Sequence, residues 1–220
     1  MEHVVVAMDG PSGSGKSSTA RGVARALGLR YLDTGAQFRA ITWWMLLHGI
    51  DVNDPEAVAE NAAAPVMSSG TDPDAPSICL DGIDVAEQIR SEPVVAAVSA
   101  VAAVPEVRTR LLDLQRSIIG SGGIVVEGRD IGSVVWPQAE VKMYLTADPA
   151  ARAARRTAEA GGADVAATEV DLLRRDAADS GRATAPLVVP EGAIHLDTTD
   201  FTLDQVIAHV VALVHEATSA

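Results

Sequence analysis

Lys16 is one of only two lysines in a chain that otherwise carries its positive charge on arginine, and it lies within Gly10-Pro-Ser-Gly-Ser-Gly-Lys-Ser17. This spacing, Gly-x-x-x-x-Gly-Lys-Ser, is that of a loop that wraps phosphate. Gly10, Gly13 and Gly15 allow backbone N–H groups to turn inward, and a helix beginning at the loop adds the positive end of its dipole. Lys16 would place a compact charge on the β- and γ-phosphates, and the Ser17 hydroxyl would reach a magnesium ion. The alternative is a glycine-serine turn that happens to hold a lysine. Against it stands the context: His3–Met8 reads as a buried strand and Ser17–Leu27 as a helix, the flanks this loop requires. The stretch Gly10, Pro11, Ser12, Gly13, Ser14, Gly15, Lys16, Ser17 and Ser18 is therefore the candidate site for a nucleoside triphosphate.

Three further charged groupings bear on the chemistry. Asp33-Thr-Gly-Ala-Gln-Phe-Arg39 brings a carboxylate, a hydroxyl and a guanidinium to a turn after a short strand, Arg30–Asp33. Glu127-Gly-Arg-Asp130 follows a second apolar strand. Ligands of open α/β sheets bind beyond the carboxyl ends of strands, so both segments are expected beside the loop. The third grouping is Arg174-Arg-Asp-Ala-Ala-Asp-Ser-Gly-Arg182, preceded by Arg152, Arg155 and Arg156. A solvated face of salt bridges with Glu159, Glu169 and Asp171 would account for such a run. A mobile lid facing phosphate, hinged at Gly161-Gly162, accounts for it better, because Arg-Asp-x-x-Asp-x-x-Arg exceeds simple i, i+4 pairing.

The elements that must position these groups alternate between strand and helix. A helix carries Phe38, Ile41, Trp44 and Met45 and ends near His48-Gly49; Asp54-Pro55 opens another. From Pro65 to Gln88 the chain is rich in turns, and Ser77–Val85 reads as a hairpin around Asp81-Gly82. Helical signals return at Ser91, break at Pro105 and resume to Ile119. Ile124–Glu127 and Val141–Leu145 read as central strands, Asp148-Pro149 as a helix start, Ala193–Ile194–His195–Leu196 as a last strand, and Thr202 as the start of a final helix. The expected fold is α/β: a parallel sheet of the P-loop NTPase type covered by helices on both faces, with a small inserted subdomain and a helical lid. Approximate bounds are 1–64, 105–148 and 187–220 for the core, 65–104 for the insertion and 152–186 for the lid.

Bulk composition narrows the function classes. The 220 residues are 48% hydrophobic and 21% charged, ordinary for a globular chain. A net charge of −13 has the wrong sign for general binding to nucleic acid or anionic lipid, and 3% aromatic content leaves little for base stacking. Cys79 alone can form neither an intrachain disulfide nor a zinc site, and reads as a small buried residue in a strand. The most apolar runs are too short to span a membrane, and the early first strand leaves no room for a signal peptide, so a cytoplasmic chain is expected. The five histidines share no motif and read as structural or surface residues.

In order along the chain, GPSGSGKSS, LDTGAQFR, Ser99 within VSAVAAVPEVR, EGRDIG and RRDAADSGRATAPL resemble the bacterial cytidylate kinases, the (d)CMP kinases. The resemblance runs from Val4 to about Asp197. It implies a kinase that moves the γ-phosphoryl group of ATP, with Mg²⁺, to CMP or dCMP. By that resemblance Asp33, Thr34, Arg39 and Arg129 hold the monophosphate, while Ser99, Arg108 and Asp130 read the base. Arg175, Asp179 and Arg182 contact sugar and phosphates from the lid, Arg155 and Arg156 assist the ATP side, and the insertion is the monophosphate-binding subdomain. Lys16, Arg129 and Arg182 form the catalytic set. Three departures stand out: Phe38 where tyrosine is expected, Ser133 for threonine, and Ala177-Ala178 at lid positions often charged.

The residue types suit that chemistry. A phosphate acceptor is already ionised at neutral pH, so catalysis is positioning and charge stabilisation by fixed cations. Asp130 can accept from the cytosine amine while Arg108 donates to N3 or O2, and uracil presents the reverse pattern. A structural ion pair between Arg108 and Asp130 is the plainer alternative. A kinase for another small acceptor, such as UMP, shikimate or gluconate, remains open from the residues alone. A guanine-reading switch is disfavoured because Lys142 lies in Val-Lys-Met-Tyr rather than Asn-Lys-x-Asp. Nothing in the sequence demands more than a monomer, with nucleotides as its partners.

Overall fold

The computed structural model describes residues 1–159, 162 and 164–219. The chain divides into two compact units, one formed by Met1–Tyr31 with Ser121–Ala220 and the other by Leu32–Gly120.

The first unit is built on a five-stranded sheet ordered β2-β6-β1-β7-β8. Its strands are β1 (Val5–Asp9), β2 (Arg30–Asp33, in which the unit boundary falls), β6 (Ile124–Gly128), β7 (Val141–Thr146) and β8 (Ile194–Asp197). β1 pairs in parallel with β6, Asp9 opposite Gly128, and with β7, Asp9 opposite Tyr144. β7 in turn pairs in parallel with β8. Every residue of β1 and β6 is buried, as expected of strands with both faces covered. One face is packed by α1 (Lys16–Leu27) and α8 (Leu203–Thr218). Ala20, Val23, Ala24, Val206, Val210 and Val214 meet Val4, Val6, Met8, Val125, Val141, Met143 and Leu145 there. With so few aromatics, this core depends on many aliphatic side chains, the larger of which contribute about 1.5–3 kcal/mol each when fully buried. Thr202 starts α8 with a reciprocal capping box to Gln205. The unit is completed by α6 (Pro149–Glu159) and α7 (Val165–Gly181), which pack on each other. Asp164 caps α7 by accepting from Ala166 and Ala167 N–H. Of the expected hinge pair, Gly161 lies outside the described residues, whereas Gly162 has φ +100°.

The second unit contains α2 (Thr34–Leu47), α3 (Pro55–Asn61), α4 (Glu92–Val101), α5 (Pro105–Ile119) and a three-stranded sheet ordered β3-β4-β5. β3 (Met67–Ser69) and β4 (Ile78–Leu80) are antiparallel, as are β4 and β5 (Ile83–Asp84). The Asp-Gly turn forms as expected, with φ of +50° at Asp81 and +80° at Gly82. Cys79 lies in β4 but is only half-buried. This small sheet falls inside the segment expected as an insertion, and the compact unit around it extends to both α2 and α5. Its core gathers Ile41, Met45, Val58, Ile78, Leu80, Ile89, Val101, Val107 and Leu111. Inside it, Gln115 donates to Gln37 at 3.0 Å, and Gln37 donates to Ser69 Oγ at 3.0 Å. Buried amides are tolerated in a core when they satisfy one another in this way.

Candidate active site

The loop between β1 and α1 adopts the backbone its glycines permit. Gly10, Gly13 and Gly15 have φ of +148°, +76° and +84°, and Gly15 is the left-handed N-cap residue of α1. At Gly10 a Cβ would lie 2.1 Å from the Leu145 carbonyl oxygen, so any side chain there would push the loop off β7. This run of positive-φ residues leading into the start of α1 is a backbone of the kind that suits an anion. Lys16 Nζ lies 3.4 Å from the Pro11 carbonyl, folded across the loop it serves. Ser14 is buried, its Oγ without a hydrogen-bond partner, and Ser18 is exposed on the first turn of α1.

Ser17 Oγ donates to Glu127 Oε2 at 2.8 Å, and Tyr31 O–H donates to Glu127 Oε1 at 2.5 Å. Glu127 is only 2% exposed, at the end of β6, so its carboxylate is fixed beside the loop serine. Two hard oxygen donors at the head of α1 suit Mg²⁺, which takes few protein ligands and keeps phosphate and water oxygens. Among the described residues no cluster of three His, Cys, Asp or Glu side chains that could hold a metal ion occurs.

Arg129 extends the same site. Its Nη1 donates to the Gly10 carbonyl at 2.7 Å and its Nε to Asp179 Oδ2 at 2.8 Å. Arg182 lies 3.7 Å from the other oxygen of Asp179 and donates twice to the Ala185 carbonyl. Burial alone would raise the Asp179 pKa, but the charge and hydrogen bond of Arg129, with Arg182 and Arg175 nearby, hold it below the usual carboxylate range. Arg175 is mostly buried on α7. Desolvation first, then repulsion from Arg129, lowers its pKa to about 10, so it stays charged at neutral pH. One loop carbonyl, one carboxylate and three guanidinium groups thus form a cluster assembled from the loop, β6 and α7. By contrast Arg174 pairs with Asp171 on the exposed side of α7, as a solvated helix face would have it.

The turn carrying Arg129 and Asp130 is held by a residue that sequence reasoning missed. Asp9, fully buried at the end of β1, accepts from Ile131 N–H and Gly132 N–H at 2.8 Å each. Those bonds start a π-helical turn, Ile131–Val135, in which Trp136 N–H reaches the Ile131 carbonyl at 2.7 Å. Burial raises the Asp9 pKa to about 6; the two amides and Lys16 offset this in part, and nearby Asp130 adds to it. The expectation that Glu127–Asp130 lies beside the loop is met through this bond and through Arg129. Arg155 on α6 donates to Thr198 Oγ1 and to the Thr198 and Thr199 carbonyls, its Nη1 3.8 Å from where a Gly15 Cβ would be; Arg156 is half-buried on the same helix.

In the second unit, Asp33 caps α2 by accepting from Ala36 N–H at 2.8 Å and pairs with Arg39 at 3.0 Å. Thr34, nearly buried, opens the helix. Ser99 lies half-buried on α4. Arg108 on α5 donates to the Ala102 carbonyl at 3.1 Å, and its guanidinium lies 5.2 Å from the Phe38 ring centre. Phe38 therefore offers a cation–π face to Arg108 where a tyrosine would add a hydroxyl.

A profile of the family described as cytidylate kinase matches residues 6–216, nearly the whole chain. The chain belongs to the cytidylate kinase family. It is 60% identical over 219 residues to the cytidylate kinase of Streptomyces avermitilis, covering 99% of this chain and 95% of that one. It is 50% identical over 218 residues to the cytidylate kinase of Rhodococcus opacus, covering 97% and 95% respectively. An uncharacterised protein from Eubacterium ventriosum shares the fold, with a TM-score of 0.54 at 12% identity, covering 97% of this chain and 99% of that one. For this cytidylate kinase family member the sequence had indicated Lys16, Ser17, Arg129, Arg175, Asp179 and Arg182, which the first unit gathers around the loop. It had not indicated Asp9, Glu127 as a neighbour of Ser17, or Asp176. The sequence signal for Glu127 is a carboxylate near the end of the strand beside the P-loop strand.

Proposed function

We propose that the chain transfers the γ-phosphoryl group of ATP to CMP or dCMP, giving ADP and the corresponding diphosphate. The observation that carries the reading is the Arg129–Asp179–Arg182 cluster bonded to the Gly10 carbonyl of a lysine-bearing phosphate loop. An acceptor phosphate is anionic and needs no general base, so the work is to gather negative charge and hold it in line. Lys16 and the loop amides bind the triphosphate. Arg129, oriented by Asp179, and Arg182 stabilise the charge that spreads over the transferred group. Thr34, Arg39, Ser99, Arg108, Asp130 and Arg175 complete the acceptor set, and Arg155 and Arg156 attend the ATP side. Ser17 and Glu127 would hold Mg²⁺, which supplies charge neutralisation on the phosphates when bound.

The base preference rests on Arg108 and Asp130 as complementary donor and acceptor, and family membership supports it. A coupled ADP-release assay over CMP, dCMP, UMP, AMP and GMP tests the reading. The cytosine nucleotides are expected to lead in kcat/KM; equal turnover of UMP would refute the base assignment. The same reading makes the chain a cytoplasmic monomer acting on free nucleotides, and a dimer in sedimentation at working concentration would contradict its oligomeric part. No helix among the described residues is long and apolar enough to cross a membrane.

A further inference from the structure

Ser12, near the tip of the phosphate loop, has both its backbone polar groups held by side chains from α6 and α7. Its N–H donates to Asp176 Oδ1 at 3.2 Å, and its carbonyl accepts from Arg152 Nη1 at 2.9 Å. Arg152 Nη1 also ion-pairs with Asp176 Oδ2, and Arg152 Nε donates to the Ala147 carbonyl at 3.1 Å. The pair is well protected, with side-chain exposures of 5% for Arg152 and 17% for Asp176. At Gly13 a Cβ would lie 3.1 Å from both the Arg152 Cβ and its carbonyl oxygen, so the α6 backbone lies flush against the loop.

These bonds separate Arg152 from the other arginines of the site. Its Nη1 and Nε are taken up by two carbonyls and a carboxylate, so these bonds tie it to the loop. The clamp grips Ser12, upstream of the positive-φ residues Gly13 and Gly15 that curl the amides around an anion. Holding the peptide groups on both sides of Ser12 fixes the direction from which that curl begins. We infer that Arg152 and Asp176 are positioning residues that set the phosphate loop for ATP, which makes the α6–α7 hairpin part of the triphosphate site. The inference rests on the proposed function only in taking ATP as the loop's ligand.

The test is an ATP titration by calorimetry without acceptor, paired with steady-state kinetics in which ATP and CMP are varied separately. Asp176→Asn keeps an oxygen for Ser12 N–H but turns an amide toward Arg152, breaking one arm. It should weaken ATP binding and raise the ATP KM about tenfold, the scale of one charge-assisted hydrogen bond. The CMP KM should stay unchanged and kcat should stay within about threefold. Arg152→Lys keeps the buried charge but loses the Nε bond to Ala147 and the planar fork that fixes Nη1 between its partners, and should act in the same direction. The double variant should lose less than the product of the two single effects, because they disable one clamp. Arg174→Ala, on the exposed side of α7, should change nothing. Unchanged or tighter ATP binding in Asp176→Asn would overturn the inference, as would parallel rises in both KM values with a lowered Tm. If Asp176→Asn fails to fold, Arg152→Lys decides by the same titration. Wild-type protein that binds ATP yet leaves CMP unphosphorylated would sink the proposed acceptor while leaving the clamp to stand or fall on binding alone.

Discussion

At the scale of single residues, the site depends on cations whose geometry is set by carboxylates. Arg129 is aimed by Asp179 and by the Gly10 carbonyl, so removing it would strip a charge and also take from a buried acid its 2.8 Å partner. Arg182→Ala is expected to lower kcat by roughly a thousandfold, as loss of a transition-state arginine does, with little change in circular dichroism. Unchanged kcat would remove Arg182 from the catalytic set. Lys16→Ala should abolish measurable turnover in the same assay. Arg108→Ala should erode the preference for CMP over UMP, lowering the ratio of their kcat/KM values about tenfold or more. Phe38→Leu, which removes only the ring face beneath that guanidinium, should move the same ratio by a smaller factor of a few. If the ratio moves equally in both variants, the ring and not the guanidinium governs selection.

At the scale of elements, helix ends and turns follow local chemistry, and the hairpin α6–α7 follows charge. Asp54-Pro55, Thr202 with Gln205, and Asp81-Gly82 do what their sequence signals indicate because each needs only neighbours within a few residues. The arginine-rich stretch splits in two: Arg174 faces solvent with Asp171, while Arg152, Arg175 and Arg182 are drawn inward. Bringing ATP and CMP to this cluster should tighten α6 and α7. Amide exchange is expected to slow between 152 and 182 only with nucleotides present, and ligand-independent exchange there would rule out a closing lid. The π-helical turn at Ile131–Val135 escaped sequence reading, since Ile-Gly-Ser-Val-Val has no local signal for that geometry. Asp9 supplies it from 122 residues away through two backbone bonds.

At the scale of the whole molecule, two buried acids give opposite pH signatures. Asp9 has a folded pKa of about 6 against an ordinary value of 3.8. Between these values the folded chain binds a proton that the unfolded chain has released, so this group favours folding in acid and loses that contribution as pH rises from about 4 to 6. Asp179 is depressed, so its contribution is present above about 4 and is lost as pH falls through its folded pKa. Urea unfolding followed across pH should therefore show Asp9→Asn removing a downward component between pH 4 and 6. A slope identical to wild type in that window would show that Asp9 titrates as an ordinary carboxyl.

Sequence alone determined the phosphate loop, the order of strands and helices, and most cationic residues, because those properties reside in short contiguous patterns of glycine, charge and apolar spacing. Tertiary structure decided which distant groups those patterns meet. Arg129 reaches Gly10 across 119 residues and Arg152 reaches Ser12 across 140. No local rule reports such pairings. They arise when the sheet sets β6 and β7 on either side of β1 and α6 lies against the loop, so that burial forces each charge to find a partner.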